Sequence, residues 1–190
     1  MTAPGFSVRT IAASTAEHMQ QVFAIRAAVF MSEQNCPYEE EFDGNDYCAT
    51  HVIGLVDGRP CAVIRIRYFS GFAKLERLAV LKSCRGTPVT RAVIETAFEI
   101  CRRKGYERVY GHSQARLVGF WEKYGFRPMR RDVKFAFSDH AYIEIVRELA
   151  RHDAAITMES DPYLIIRPEG SWDSPGILEQ SSTRPITSPH

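Results

Sequence analysis

RLAVLKSCRGTPVTRAVIETAFEICRRKG, residues 77–105, decides the fold. With KLE before it, the opening reads as a strand over 74–81. A turn, Ser83-Cys84-Arg85-Gly86-Thr87, leads straight into the strongest helical pattern of the chain, over 88–104. Thr87 can cap that helix and Pro88 suits its first position. Val89, Val93, Ala97 and Cys101 form its buried stripe, and Gly105 ends it behind Arg102, Arg103 and Lys104. A helix start exposes unpaired N–H groups and the positive end of the dipole, so such a turn can hold phosphate. Arg85 and Arg91 add charge beside it. An ordinary strand-to-helix connection has the same pattern, and these residues alone leave both readings open.

Working outward, FSVRTI (6–11) alternates as a first strand. Ser14 or Thr15 can cap a helix over 16–31, with Val22, Ile25, Arg26, Val29 and Phe30 on its inner face. SEQNCPYEEEFDGND (32–46) reads as a long acidic loop, and long loops tend to be functional. HVIGLV (51–56) and CAVIRIRYF (61–69) are strands, with Asp57-Gly58 between them as a hairpin signal. Downstream, RVYGHS (108–113) predicts a strand, RLVGFWEKY (116–124) a short helix and VKFAF (133–137) a strand. YIEIVREL (142–149) suits a strand or a helix. The pattern predicts one α/β domain over 1–150 with a mixed sheet. A C-terminal extension over 151–190 would add one strand at 161–168 and then a loose Ser-, Pro- and Thr-rich tail.

The formal net charge of +1 offers no field for nucleic acid or an anionic membrane. The start, MTAPGFSVRT, lacks a signal peptide's apolar stretch, so a cytoplasmic protein is expected. Five cysteines, with no CxxC pair among them, point to reduced thiols. The histidines are scattered, so no metal site is predicted.

Residues 77–105 resemble the acyl-CoA-binding core of the GCN5-related N-acetyltransferases. In that family a strand ending in Leu-x-Val meets an Arg/Gln-x-x-Gly-x-Gly/Ala turn at the start of a long helix. Leu78, Ala79 and Val80 match the strand end, and Arg85 the first turn position. ARLVGFWEKYGFRP (115–128) is similar to the family's next helix, which ends in Phe-Tyr-Glu-x-x-Gly-Phe. IRAAVFMSEQNCPYEEEFDGND (25–46) resembles an ElaA-like bacterial subgroup with a VFVVEQxCPYxxxDGxD stretch. The resemblance implies a mixed sheet splayed at its centre, acetyl-CoA as co-substrate, and acetyl transfer to an amine of a small molecule or peptide. It leaves room for a homodimer.

By the same resemblance, Leu78, Ala79 and Val80 would hold the pantetheine. Arg85, Gly86, Thr87, Val89, Thr90 and Arg91 would hold the pyrophosphate. Pro88 and Thr90 occupy the family's glycine positions, and proline removes one donor. Trp121 stands where the family has a tyrosine acid, with Tyr124 three residues on as a substitute. Glu76 is the candidate base, with an ion pair to Arg65 or Arg67 as the other reading, and His112 is a second candidate base. Glu33, Tyr38, Asp43, His112 and Trp121 are candidate acceptor contacts, the acidic loop favouring a cationic amine. Two rival functions remain: a long-chain N-acyl amino acid or acyl-homoserine-lactone type synthase, and a binding module with a degenerate CoA site.

Overall fold

The computed structural model describes residues 6–129, 135–137, 140–181 and 184–185. In chain order come β1 (Val8–Ala12), α1 (Ala16–Arg26), α2 (Tyr38–Glu41), β2 (Thr50–Val56), β3 (Arg59–Phe69), β4 (Phe72–Val80) and α3 (Val89–Arg103). Then follow β5 (Arg108–Gln114), α4 (Val118–Glu122), β6 (Arg127–Pro128), β7 (Phe135–Phe137), β8 (His140–Glu148), α5 (Pro162–Ile165) and α6 (Ile177–Ser181). The strands form one sheet in the order β1-β2-β3-β4-β5-β8-β6, with β7 paired to β8. All neighbours are antiparallel except β4 and β5, which are parallel. This is the expected mixed sheet flanked by helices, and residues 142–149 take the strand alternative.

The apolar runs in β2 and β3 are nearly continuous because both faces of the sheet are covered. Ile53, Leu55, Val63 and Ala79 pack beneath α1 on Val22, Ile25 and Val29. The alternate residues Val52, Ala62 and Ile64 share the larger core with Val89, Val93, Ile94 and Ala97 of α3. Gly54 permits the closest approach: a Cβ there would lie 2.6 Å from the side chains of both Val89 and Val93. The β2–β3 turn has Asp57 at φ 49° and Gly58 at φ 78°, the left-handed pair that a type I′ hairpin needs.

The splay at the centre has a local cause. β4 and β5 are paired only from Ala73–Leu75 to Val109–Gly111, and beyond those residues the strands part. On its other side β4 carries one residue too many. Arg65 faces Glu76 and Val63 faces Ala79, so Ile64 alone opposes Arg77 and Leu78. Arg77 takes φ 54° to accommodate the bulge. A bulge bends its strand and increases its twist, which turns the rest of β4 away from β5.

Helix α1 starts at Thr15, whose hydroxyl accepts the His18 N–H at 3.1 Å. It then widens without a break into a π-helical stretch, Ala27–Glu33, a form often found at functional sites. The segment read as a loop from residue 32 thus begins inside a helix and contains α2 as well. The long helix begins at Val89, with Pro88 as its N-cap rather than its first residue.

The C-terminal segment departs from expectation. Residues 161–168 hold no strand. Asp161 accepts the Tyr163 N–H at 2.9 Å and Pro162 follows it, a capped start that makes the helix α5. In the stretch that follows, residues 169–172 are packed against the domain, while 182–183 and 186–190 of the expected loose tail lie outside the described residues. Trp172 is only 7% exposed and belongs to the larger core, with the Arg103 guanidinium 5.9 Å from its ring centroid. Glu169 accepts from Thr50 at 2.9 Å and from Lys104 at 3.0 Å. Polar composition concealed this single aromatic anchor. Trp172→Ala is therefore expected to lower the unfolding free energy by about 3–5 kcal/mol. Gly170→Ala is expected to destabilise as well, since φ is 75° there and a Cβ would lie 2.6 Å from that of Ala12. Unchanged urea midpoints in both variants would mean that the segment only lies on the surface.

Candidate active site

A pocket of about 560 Å³ opens where β4 and β5 part. From β4 it is lined by Lys74, Glu76, Arg77 and Leu78, and from β5 by His112 and Gln114. Phe30 and Gln34, at the end of the π-helical stretch, cover one side, and Arg116, Leu117 and Tyr142 the other. The volume suits a small organic ligand.

Beneath α1, next to this pocket, lies a cluster of buried charge. Arg26 and Arg65 are fully buried, and Glu41, Asp46 and His51 nearly so. Arg26 donates to Glu41 at 2.5 Å and also to Asp46. Arg65 donates to Asp46 at 2.8 Å, to Glu76 at 3.0 Å, and to both oxygens of Asp43 at 2.8 and 2.6 Å. Arg77 donates to the Glu40 carbonyl at 2.6 Å and stands 3.1 Å from Glu41. Burial raises the Asp43 pKa, but the hydrogen bonds and charge of Arg65 outweigh it and hold the carboxyl well below the usual range. Asp46 is likewise lowered, burial being outweighed by hydrogen bonds from Arg26 and Arg65. Glu41 goes the other way: its burial outweighs the nearby arginines and raises its pKa.

His112 sits in the pocket, and its Nε2 is 2.6 Å from the Tyr110 hydroxyl. That hydroxyl donates to Glu144 at 2.6 Å, so it accepts from His112 Nε2–H and the imidazole lone pair is on Nδ1. Burial first, and then the charge of Lys74, pushes the His112 pKa below 6.5, so the ring is neutral at pH 7. Glu76 also lines the pocket, but its carboxylate bridges Arg65 and Lys74, the latter at 2.7 Å. The ion pair to Arg65 foreseen from the sequence is present, with Arg67 farther off at 3.8 Å.

The turn before α3 presents free donors. The amides of Gly86, Thr90 and Arg91 form no hydrogen bond to another described residue, and helical bonding begins with Ala92 N–H to Pro88 O at 3.0 Å. Thr87 caps the helix only weakly: its hydroxyl donates to the Cys84 carbonyl at 2.8 Å and accepts the Val89 N–H at a long 3.5 Å. Arg85 folds back, donating to the Val80 carbonyl at 3.1 Å and to Glu33 at 2.5 Å. In β4 the Leu81 amide bonds to Cys61 of β3 at 2.9 Å, and Ala79 shares that phase. Val80, between them, turns its N–H and C=O into the fork. Of the expected pantetheine-holding residues, Ala79 thus has its backbone committed to β3.

Several expected acceptor contacts lie elsewhere. Glu33 pairs with Arg85, and Asp43 reaches the pocket wall already clasped by Arg65. Tyr38 is exposed and its ring lies tilted against that of Phe42, with centroids 4.9 Å apart. Trp121 packs edge-on against Phe120 and Phe126, each at 5.2 Å, and does not line the pocket. Tyr124 stands outside the pocket too, with the Arg91 guanidinium 5.6 Å from its ring. Lys74, Gln114, Arg116 and Tyr142 were not singled out from the sequence, and Arg67 only as an ion-pair partner of Glu76, although alternation along β4 and β5 places Lys74 beside Glu76 and Gln114 beside His112.

A fork between two parallel strands, with a donor-rich turn just past it, is the arrangement implied by residues 77–105. The sequence pattern of the acetyltransferase (GNAT) family matches residues 19–126. The chain belongs to that family. It is 30% identical over 120 residues to the protein ElaA of Escherichia coli, covering 58% of this chain and 78% of ElaA. It is also 30% identical over 120 residues to YjcF, an uncharacterized N-acetyltransferase of Bacillus subtilis, covering 63% of this chain and 86% of YjcF. The crystal structure of E. coli ElaA superposes with a TM-score of 0.64 at 24% identity, over 75% of this chain and 99% of that one. An acyl-CoA N-acyltransferase from Pseudomonas aeruginosa gives 0.66 at 24% identity, over 74% and 99%. GNAT membership supports acyl-CoA-dependent acyl transfer, and the ElaA matches support the subgroup read from residues 25–46. No helix among the described residues is long and apolar enough to cross a membrane.

The buried cluster gives the GNAT domain a predictable response to acid. Asp43 and Asp46 have folded pKa values below those of the unfolded chain, so their stabilisation is present above pH ~4 and is lost as pH falls below it. The urea midpoint should drop between pH 5 and pH 2 by an amount that shrinks in Asp43→Asn. An equal drop in the variant would show that Asp43 is not part of the acid-sensitive set.

Proposed function

We propose that the protein transfers an acetyl group from acetyl-CoA to the amine of a small molecule, with His112 as the general base. The observation that carries this reading is the fork. A neutral imidazole lines it on β5, and β4 leaves it through a strand end with an outward-turned peptide that leads to a donor-rich turn; these features support the reading.

The residues suit the co-substrate. The free amides of Gly86, Thr90 and Arg91 would accept the pyrophosphate, with Arg91 adding charge; Arg85 would first have to exchange its bond to Glu33. When bound, acetyl-CoA supplies an activated acyl group and a thiol leaving group. Val80 N–H would hold the thioester oxygen, where negative charge develops. Nδ1 of His112 takes the proton of the incoming ammonium, and Tyr110 and Glu144 fix the ring so that this nitrogen keeps its lone pair. Glu76 restrains Lys74 and Arg65, a role that makes it a positioning residue. A thiol ionises near pH ~8.5, so the sulfur can leave as thiolate and take its proton from water, without an acid at Trp121 or Tyr124.

Calorimetry is expected to show acetyl-CoA binding to both the wild type and His112→Ala. In that variant kcat should fall by about 10²-fold or more, the usual range for a general base. Because the folded pKa of His112 lies below 6.5, the acid limb of wild-type kcat/KM should also lie below pH 6.5. Tyr124→Phe should leave kcat within about twofold, since loss of a general acid typically costs far more. Absence of acetyl-CoA binding would overturn the proposed activity. Full turnover in His112→Ala would overturn only the assignment of the base.

A further inference from the structure

The pocket carries more positive charge than the acidic sequence around it suggests. Among the described residues its lining has four cations, Arg67, Lys74, Arg77 and Arg116, and three carboxylates, Glu40, Asp43 and Glu76. Asp43 and Glu76 are committed to cations of the protein itself. Asp43 closes on Arg65 through both oxygens, and Glu76 bridges Arg65 and Lys74. Arg77 is itself committed, to the Glu40 carbonyl, Asp43 and Glu41. The surplus is at Arg67 and Arg116. Arg67 is 3.8 Å from Glu76, too far for a hydrogen bond, and its guanidinium rests on Phe69 at 5.0 Å. Arg116, exposed beside Leu117, makes no ion pair or hydrogen bond with another described residue.

We propose that the acceptor carries an anionic oxygen group, carboxylate or phosphate, as well as its amine, and that Arg67 and Arg116 hold that group while the amine meets His112. This inference rests on the acyl-transfer reading and names its substrate class. Guanidinium is the side chain best matched to such groups, since its fork donates two parallel hydrogen bonds to one anion. A polyamine without an anionic group would instead bring like charge against Arg67, Lys74 and Arg116. The acceptor keeps the cationic amine that the acidic loop is expected to favour and adds an anionic group to it. The loop's Asp43 neutralises Arg65, and the guanidinium groups beyond it face the pocket without an equivalent partner.

The test uses matched pairs of amines that differ in the anionic group: phenylalanine against phenethylamine, and O-phosphoethanolamine against ethanolamine, with spermidine as the purely cationic case. Acetylation is followed as release of CoA thiol. The acid-bearing member of at least one pair should have kcat/KM about tenfold higher or more, mainly through KM, as expected for charge-assisted hydrogen bonds. The pair that shows the difference tells carboxylate from phosphate. Arg116→Gln and Arg67→Gln should each shrink the ratio between members, and Arg116→Lys should restore most of it. Calorimetry of the CoA-loaded protein with the same pairs reads the selectivity independently of turnover. If CoA binds and the two members of every pair behave alike in both assays, or spermidine is preferred, this inference is overturned and the acyl-transfer reading stands. If neither acetyl-CoA nor CoA binds, the acyl-transfer reading itself fails.

Discussion

Arg65 is the point on which the site depends. It lies on β3, fully buried, and its guanidinium reaches Asp43, Asp46 and Glu76 together. Three parts of the molecule meet there: the segment after α2, the central strand β3 and the pocket wall on β4. Removing one partner of such a buried pair is costly, because the remaining charge is left without water or counter-ion; typical losses are about 3–5 kcal/mol. Arg26 repeats the device one layer up, from the end of α1 to Glu41 and Asp46. The acidic segment is therefore clasped onto the sheet by ionic contacts where an apolar segment would be held by packing. This arrangement fixes its position relative to the fork and keeps Phe30 and Gln34 over the pocket.

Two irregularities complete the site, and both are backbone features. The extra residue at Arg77 and Leu78 turns the end of β4 away from β5, which opens the fork. The widened turn after α1 carries the chain across the opening. Neither could serve in a regular helix or strand. A straight β4 would continue its pairing with β5 and leave no channel, and a regular α-helical turn would rotate Phe30 off the pocket. Local departures from ideal geometry are common where backbone must serve a ligand as well as a core.

The fold was legible because its decisive signals are local. The strand, turn and amphipathic helix over 74–105, the Asp57-Gly58 hairpin and the double-sided apolar strands each specify a structure within a few residues. The site was legible in part. Glu76, Leu78, Asp43 and His112 do line the pocket, as their places on strand ends and the acidic loop implied. The pairing of the acidic loop was not legible, because its cations come from distant positions: Arg26, Arg65 and Arg77 are brought to it only by tertiary packing. Glu33 and Arg85, assigned separately to acceptor and phosphate, turn out to bind each other across 52 residues of sequence. Trp121 and Tyr124 were read through a family position, yet in this chain they join an aromatic cluster beside α3. Trp172 escaped notice because one buried indole in a polar stretch creates no periodicity.

That indole has a consequence for biosynthesis. Every strand of the sheet is translated before Trp172, yet the core beside Ile100, Cys101 and Arg103 is covered only when residues 169–172 arrive. A chain that lacks that stretch would have an uncovered apolar edge beside α3. Chains that stall or are cut short before Glu169 also lack the carboxylate that joins Thr50, Tyr68 and Lys104. Such fragments would display the kind of apolar surface that chaperones and proteases recognise. A chain that has residues 169–172 buries apolar surface that a chain cut short before Glu169 would leave open.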